Sequence, residues 1–338
     1  MKASENEAGK NAAGKNTADG SEAREGYRSH RVRAGDGLRL HVRVYGTAPD
    51  HALPVVCLPG LARHAEDFHA LALRLSRDPE TPRRVLAVDY RGRGLSERDP
   101  DWRRYDVSVE MQDVLDVLAA LDVPEAAFVG TSRGGLITMA LAASRPAILR
   151  AVVLNDIGPV IDAKGLIRIR GYVGKLPTPR SWAEAIEALK RLQDAQFPGL
   201  DSEGWMALAR GTWTERDDGS LALAYDPALM KTLEQLDLEQ SPPPLWPLFD
   251  GLAHVPVLAI RGAHSDILAA STVEEMGRRH PRLEVEEVDG EGHAPLLRGP
   301  LAERVARFIA GAGAGDARRR PDLPAEQTGE EPRMPRVR

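Results

Sequence analysis

Ser132 sits in Gly130-Thr131-Ser132-Arg133-Gly134, which follows the apolar run Ala126-Ala127-Phe128-Val129 and opens a helix-like stretch from Gly135 to Ala143. A serine on a sharp strand-to-helix turn has its hydroxyl held out of the sheet. Side chains two positions before and after it would collide, so glycine is needed at both. The pattern is that of a nucleophile elbow. Such a serine needs a base, and the base needs an orienting acid. Arg261-Gly262-Ala263-His264-Ser265-Asp266 directly follows the apolar run Val255 to Ile260, and Gly290-Glu291-Gly292-His293 directly follows Leu283 to Val288. Both stretches are expected at the carboxyl ends of strands, on the sheet edge that carries Ser132. His264 reads as a turn residue, and His64 as a neighbour of the pocket rim with no chemical role. No HExxH, cysteine pair or carboxylate cluster with ligand spacing occurs, so neither a metal nor a cofactor is expected.

The elements that must position these groups are legible. Leu38 to Tyr45 alternates like a half-buried strand and is expected to pair with Ser29 to Arg33 across the Gly35-Asp36-Gly37 turn. Val55 to Leu58, Val85 to Val88, Ala126 to Val129, Ala151 to Leu154, Val255 to Ile260 and Leu283 to Val288 read as further strands, most of them continuously apolar, as buried parallel strands require. Helical patterns over His69 to Leu75, Val107 to Leu121, Gly135 to Ala143, Thr272 to Arg279 and Leu301 to Ala310 separate most of them. This alternation predicts an α/β domain with a mostly parallel sheet. It stops between Gly158 and about Gly251, where Trp182, Trp205, Trp213 and Trp246 and helical candidates such as Trp182 to Leu192 indicate a helical insertion whose tryptophans serve packing.

With 338 residues, 42% hydrophobic, 28% charged and a net charge of -5, the chain is long enough for one large α/β domain with an insertion. The mildly acidic balance and the lack of a basic stripe in the core exclude a nucleic-acid surface. Cys57, the single cysteine, lies inside Val55-Val56-Cys57-Leu58 and reads as a small buried hydrophobe. No signal peptide or membrane span is legible, so a cytoplasmic protein is expected, monomeric or homodimeric. Residues 1–26, with Ala8-Gly9-Lys10-Asn11 echoed by Ala13-Gly14-Lys15-Asn16, and residues 312–338, with Arg318-Arg319-Arg320, are expected to be disordered tails.

The elbow, the turns bearing Asp266 and His293, Leu58-Pro59-Gly60-Leu61 and Asp89-Tyr90-Arg91-Gly92-Arg93-Gly94-Leu95-Ser96 stand in one register. In this the chain resembles the α/β-hydrolase fold family, whose triads run in the order Ser, Asp, His. The resemblance implies an eight-stranded, mostly parallel sheet flanked by helices, formed by residues 27–157 and 252–311, with a helical cap, 158–251, inserted after the sixth strand. It also implies Ser132 as nucleophile, His293 as general base and then acid, Asp266 as its orienter, and an oxyanion hole made by the backbone N–H groups of Leu61 and Arg133. Asp156 is the alternative acid, because some hydrolases of this fold place theirs after that earlier strand. The glycines of Arg91-Gly92-Arg93-Gly94 fit no phosphate-binding loop and have a structural role.

The activity so implied is hydrolysis of a carboxylic ester or lactone. Serine at 132 argues against dehalogenase and epoxide hydrolase chemistry, which use a carboxylate nucleophile. A carbon-carbon bond hydrolase of β-diketone type shares the triad, but its members usually carry an aromatic residue after the base, where this chain has Ala294-Pro295. A ligand-binding protein derived from the fold is the reading from a different class. Arg133 is expected to form an internal ion pair; recognition of a substrate carboxylate is the alternative.

Overall fold

The computed structural model describes residues 26–47, 52–237, 239 and 242–317. The core strands are β1 Tyr27–Arg33, β2 Arg39–Tyr45, β3 Val55–Leu58, β4 Val85–Asp89, β5 Ala126–Thr131, β6 Leu149–Asn155, β9 Val257–Gly262 and β10 Leu283–Val288. They form one eight-stranded sheet in the order β1-β2-β4-β3-β5-β6-β9-β10. β2 is antiparallel to β1 and β4, and the other neighbours are parallel.

Period-two alternation assigns each central strand's side chains to two layers. Val56, Leu58, Leu86, Val88 and Phe128 join a core with residues of α2 (Val107–Ala120), α3 (Arg133–Ser144) and α9 (Ala270–Arg279). Val55, Cys57, Val85, Ala87 and Val129 face α1 (His69–Ser76) and α10 (Gly299–Ala317) on the other side. Each fully buried Val, Leu or Phe contributes about 1.5–3 kcal/mol, so this two-sided burial fixes the sheet that carries the site.

Cys57 is fully buried, and burial pushes its thiol pKa up. A disulfide exchange reagent is expected to label no thiol in the native protein and one after unfolding. Labelling of the native protein at the rate of a free thiol would show that the α1/α10 layer opens readily.

Between β6 and β9 lie α4 (Ala163–Tyr172), α5 (Trp182–Gln193), α6 (Ser202–Arg210), α7 (Met230–Glu234) and α8 (Trp246–Asp250), with a ribbon of β7 (Trp213–Glu215) and β8 (Leu221–Leu223). The ribbon is an addition to the helices expected of the insertion. Its turn carries Asp218-Gly219, with Gly219 at φ +79°, a hairpin signal present in the sequence. Trp205 and Trp213 pack with Leu189, Phe197 and Leu208 in the insertion's own apolar core, as expected of packing residues. At the end of the chain, α10 runs to Ala317, past the expected boundary at 311. Apart from Gly26, the N-terminal tail expected at 1–26 lies outside the described residues, as does the segment with Arg318-Arg319-Arg320.

Candidate active site

Ser132 follows the last residue of β5 and caps α3 with φ 52° and ψ −113°. That left-handed strain is tolerated because its surroundings leave no alternative. A Cβ on Gly130 would lie 2.5 Å from the Gly134 backbone, and one on Gly134 would lie 2.0 Å from the Leu58 carbonyl oxygen. The two glycines therefore let strand, turn and helix close up. Arg133 opens α3, so its N–H is one of the unpaired donors at a positive helix end. Leu61 comes from the loop after β3, beside Gly60, where an added Cβ would stand 3.8 Å from that of Ser132.

His293 lies in the loop after β10. Its Nε2 is 2.8 Å from Ser132 Oγ, and its Nδ1 is 2.8 Å from Asp156 Oδ2. Asp156 directly follows β6, is fully buried and has φ 55°. Its Oδ1 accepts from the Gly262 N–H at 2.8 Å and its Oδ2 from Ser265 Oγ at 2.6 Å. Three donors, two from the turn at 262–265 and one from the histidine loop, thus converge on one carboxylate.

Asp266 does not hold that position, which corrects the expectation that it orients the histidine. Its carboxylate accepts a two-pronged pair from Arg168 of α4, Nε to Oδ2 at 2.6 Å and Nη2 to Oδ1 at 2.8 Å. Burial pushes the Asp266 pKa up, but the Arg168 hydrogen bonds and charge outweigh this and hold it below the usual carboxylate value. The backbone strengthens the clamp, with Gly165 N–H on Asp266 O and Asp162 N–H on Ile267 O, both 3.0 Å. Asp266 ties the insertion to the core, and Asp156 faces the histidine.

Other side chains invisible to motif reading join the site. Gln196, between α5 and α6, accepts the His293 N–H through Oε1 at 3.1 Å. Asn155 donates to Thr131 Oγ1 at 3.1 Å and to the Pro295 carbonyl at 3.0 Å, tying the elbow to the histidine loop. Arg63 is gripped by Asp67 at 2.6 and 2.8 Å and donates to Leu208 O and Thr212 Oγ1 around the carboxyl end of α6. His64 is buried, and burial lowers its pKa; its Nε2 donates to Arg210 O, a structural contact. His264 is exposed. In the 91–94 turn, Arg91 pairs with Asp113 and Asp99, and Gly94 packs against Asp89 so closely that a Cβ would meet its carboxylate at 2.2 Å, which agrees with a structural role.

Ser132 and His293 open into a cavity of about 110 Å³, with Ile169 and Val173 from α4 and its end, and Leu176, Leu189, Leu208 and Leu296 among its walls. An apolar cavity of about 150 Å³ accommodates benzene, so this space suits a group of a few heavy atoms. Among the described residues no cluster of His, Cys, Asp or Glu could hold a metal ion, and no helix is long and apolar enough to cross a membrane.

The family model for the alpha/beta hydrolase family matches residues 55–308. The chain is 33% identical over 282 residues to the 3-hydroxybutyrate-oligomer hydrolase of Cupriavidus necator, covering 81% of this chain and 94% of that protein. It is 27% identical to the 2-(acetamidomethylene)succinate hydrolase of Mesorhizobium japonicum, covering 78% and 88%. The crystal structure of an alpha/beta hydrolase from Novosphingobium aromaticivorans superposes with a TM-score of 0.77 at 37% identity, covering 85% of this chain and 98% of that one.

Proposed function

The chain belongs to the alpha/beta hydrolase family and is a hydrolase; from that premise we propose that it cleaves a carboxylic ester or lactone of a small, largely apolar acyl group through an acyl-enzyme on Ser132. The observation that carries this reading is the continuous hydrogen-bonded line Ser132 Oγ, His293 Nε2, His293 Nδ1, Asp156 Oδ2 at the mouth of a mostly apolar cavity. Asp156 accepts from Nδ1–H, which leaves the Nε2 lone pair for the serine proton. Ser132 Oγ attacks the carbonyl carbon as its proton passes to Nε2, and the new oxyanion is bound by the Leu61 and Arg133 N–H groups. The carbonyl re-forms, the alkoxide leaves with the proton from Nε2, and the acyl group stays on Ser132. Water then gives a proton to Nε2 and attacks the acyl carbon; collapse returns the proton to Ser132 and frees the acid. The insertion acts as a cap that supplies the acyl pocket.

The relative named for 3-hydroxybutyrate oligomers makes short hydroxyacyl esters the first substrates to try. Incubation with a fluorophosphonate is expected to add one phosphonyl mass, mapped to Ser132, and a panel of short-chain esters and lactones should be hydrolysed. Absence of both the adduct and the hydrolysis would sink the reading. Cleavage of β-diketones with ester inertness would redirect it to carbon-carbon bonds.

A further inference from the structure

A chain of buried charges, linked by hydrogen bonds and by an Arg93–Glu110 ion pair, runs beneath the two segments proposed to form the oxyanion hole. Arg93 donates through Nε to the Leu61 carbonyl at 2.8 Å, and its Nη1 lies 2.6 Å from Glu110 Oε1. The other carboxylate oxygen, Glu110 Oε2, accepts from Arg133 Nε at 2.5 Å. Arg133 is anchored again by Nη2 on the Tyr105 carbonyl at 2.8 Å. The side chains of Arg93 and Glu110 are fully buried, and that of Arg133 is 14% exposed. One carboxylate on α2 therefore joins the cation that holds Leu61 to the cation borne by Arg133. This arrangement also places the Arg133 guanidinium in an internal pair, as the sequence suggested.

We propose that Glu110 is a positioning residue that sets the separation of the two oxyanion donors, Leu61 N–H and Arg133 N–H. The inference rests on the oxyanion-hole reading above. Such a hole works only when both donors lie about 2.7–3.1 Å from the same developing charge. The Arg133 donor is fixed by the glycine-packed elbow, whereas Leu61 lies in a loop outside the strands and helices. Arg93 fixes that loop from below by its carbonyl, and Glu110 fixes Arg93. Without the Glu110 charge, the Arg93 head keeps its hydrogen bond from Nη1 to the Arg91 carbonyl at 2.7 Å but loses its ion pair, so that it and the Leu61 peptide can shift against a stationary Arg133.

The same helix supplies a matched comparison. Asp113 is also buried and holds Arg91 in a two-pronged pair at 2.5 and 2.7 Å, but the Arg91 guanidinium is turned to Asp113, Asp99 and Asp36, and only its backbone carbonyl meets Arg93. Glu110→Gln is expected to lower kcat on a p-nitrophenyl ester by about 10- to 100-fold, a fraction of the loss when a donor is removed outright. KM should stay within about threefold, and the pH–rate profile should keep its midpoint, because His293 and Asp156 are untouched. Asp113→Asn should lower the melting temperature and leave kcat within about twofold. Arg133→Met keeps the N–H but frees Glu110 Oε2, so that the carboxylate, and with it the Arg93 head and the Leu61 peptide, can shift; it should lower kcat about 10-fold on neutral esters and on esters bearing a free carboxylate alike. It carries the test if circular dichroism shows Glu110→Gln unfolded.

Retention of wild-type kcat in these two variants, or losses no larger than that of Asp113→Asn, would overturn the proposal. So would a loss in Arg133→Met confined to carboxylate-bearing esters. The rate of fluorophosphonate labelling separates the two levels of inference, since the phosphoryl oxygen must enter the same hole. Wild-type protein that labels at Ser132, with Glu110→Gln labelling equally fast, defeats the positioning role alone; wild-type protein that does not label defeats the hydrolase site and this proposal together.

Discussion

Ser132→Ala is expected to lower ester turnover by about 10⁶-fold, the scale seen when a triad nucleophile is removed, while the protein stays folded. Alanine keeps the strained φ of 52° that the flanking glycines impose and removes a single oxygen whose recorded partner is His293 Nε2. His293→Ala should fall comparably, and the double variant should be little worse than either single one, because the groups act as a unit. Steady-state rates on p-nitrophenyl butyrate with purified variants measure this. More than about a tenth of wild-type activity in Ser132→Ala would mean that another atom attacks the carbonyl.

Asp156→Asn is expected to cost about 10⁴ in kcat. An amide NH₂ facing Nδ1 favours the tautomer with its proton on Nε2, so the imidazole can no longer accept from Ser132, and the imidazolium loses its counter-charge. Asp266→Asn should behave differently. It weakens the grip of Arg168 on the core, a charge-assisted hydrogen-bond pair on the order of 1.5–3 kcal/mol, so the melting temperature should drop and KM rise with kcat within a few-fold. Collapse of kcat in Asp266→Asn with Asp156→Asn near wild type would return the orienting role to the later strand.

These two aspartates mark where sequence reading stops. The strands could be read because each central one is a short apolar run buried on both faces, and the elbow because close packing demands glycine at 130 and 134. His293 could be read because it follows a strand on the same edge. Asp156 and Asp266 both also follow strands on that edge, and spacing along the chain does not say which carboxylate reaches inward. The choice is made by the left-handed turn at Asp156, which turns the carboxylate to Gly262 and Ser265, and by Arg168, a partner 98 residues away that takes up Asp266. Arg168 falls in the stretch where strand-helix alternation had ceased, so nothing local announced it. Glu110 was hidden for a related reason. At the first turn of α2 an acidic residue looks like ordinary helix-end complementarity, and its partners Arg93 and Arg133 meet it only in the folded chain.

The clamp between Arg168 and Asp266 also bears on how such a protein can change. The groups proposed to react ride on the ends of β5 and β6 and on the loop after β10, and residues 158–251 bring none of them; among the described residues of that stretch, Gln196 accepts the histidine's backbone N–H. The carboxylate at the later strand end, Asp266, is a fastening for α4, of which Ile169 and Tyr172 wall the cavity. Substitutions in the insertion can therefore reshape what is accepted while the machinery that breaks the bond is inherited unaltered. New preferences can accumulate in one stretch of gene without each step putting turnover at risk.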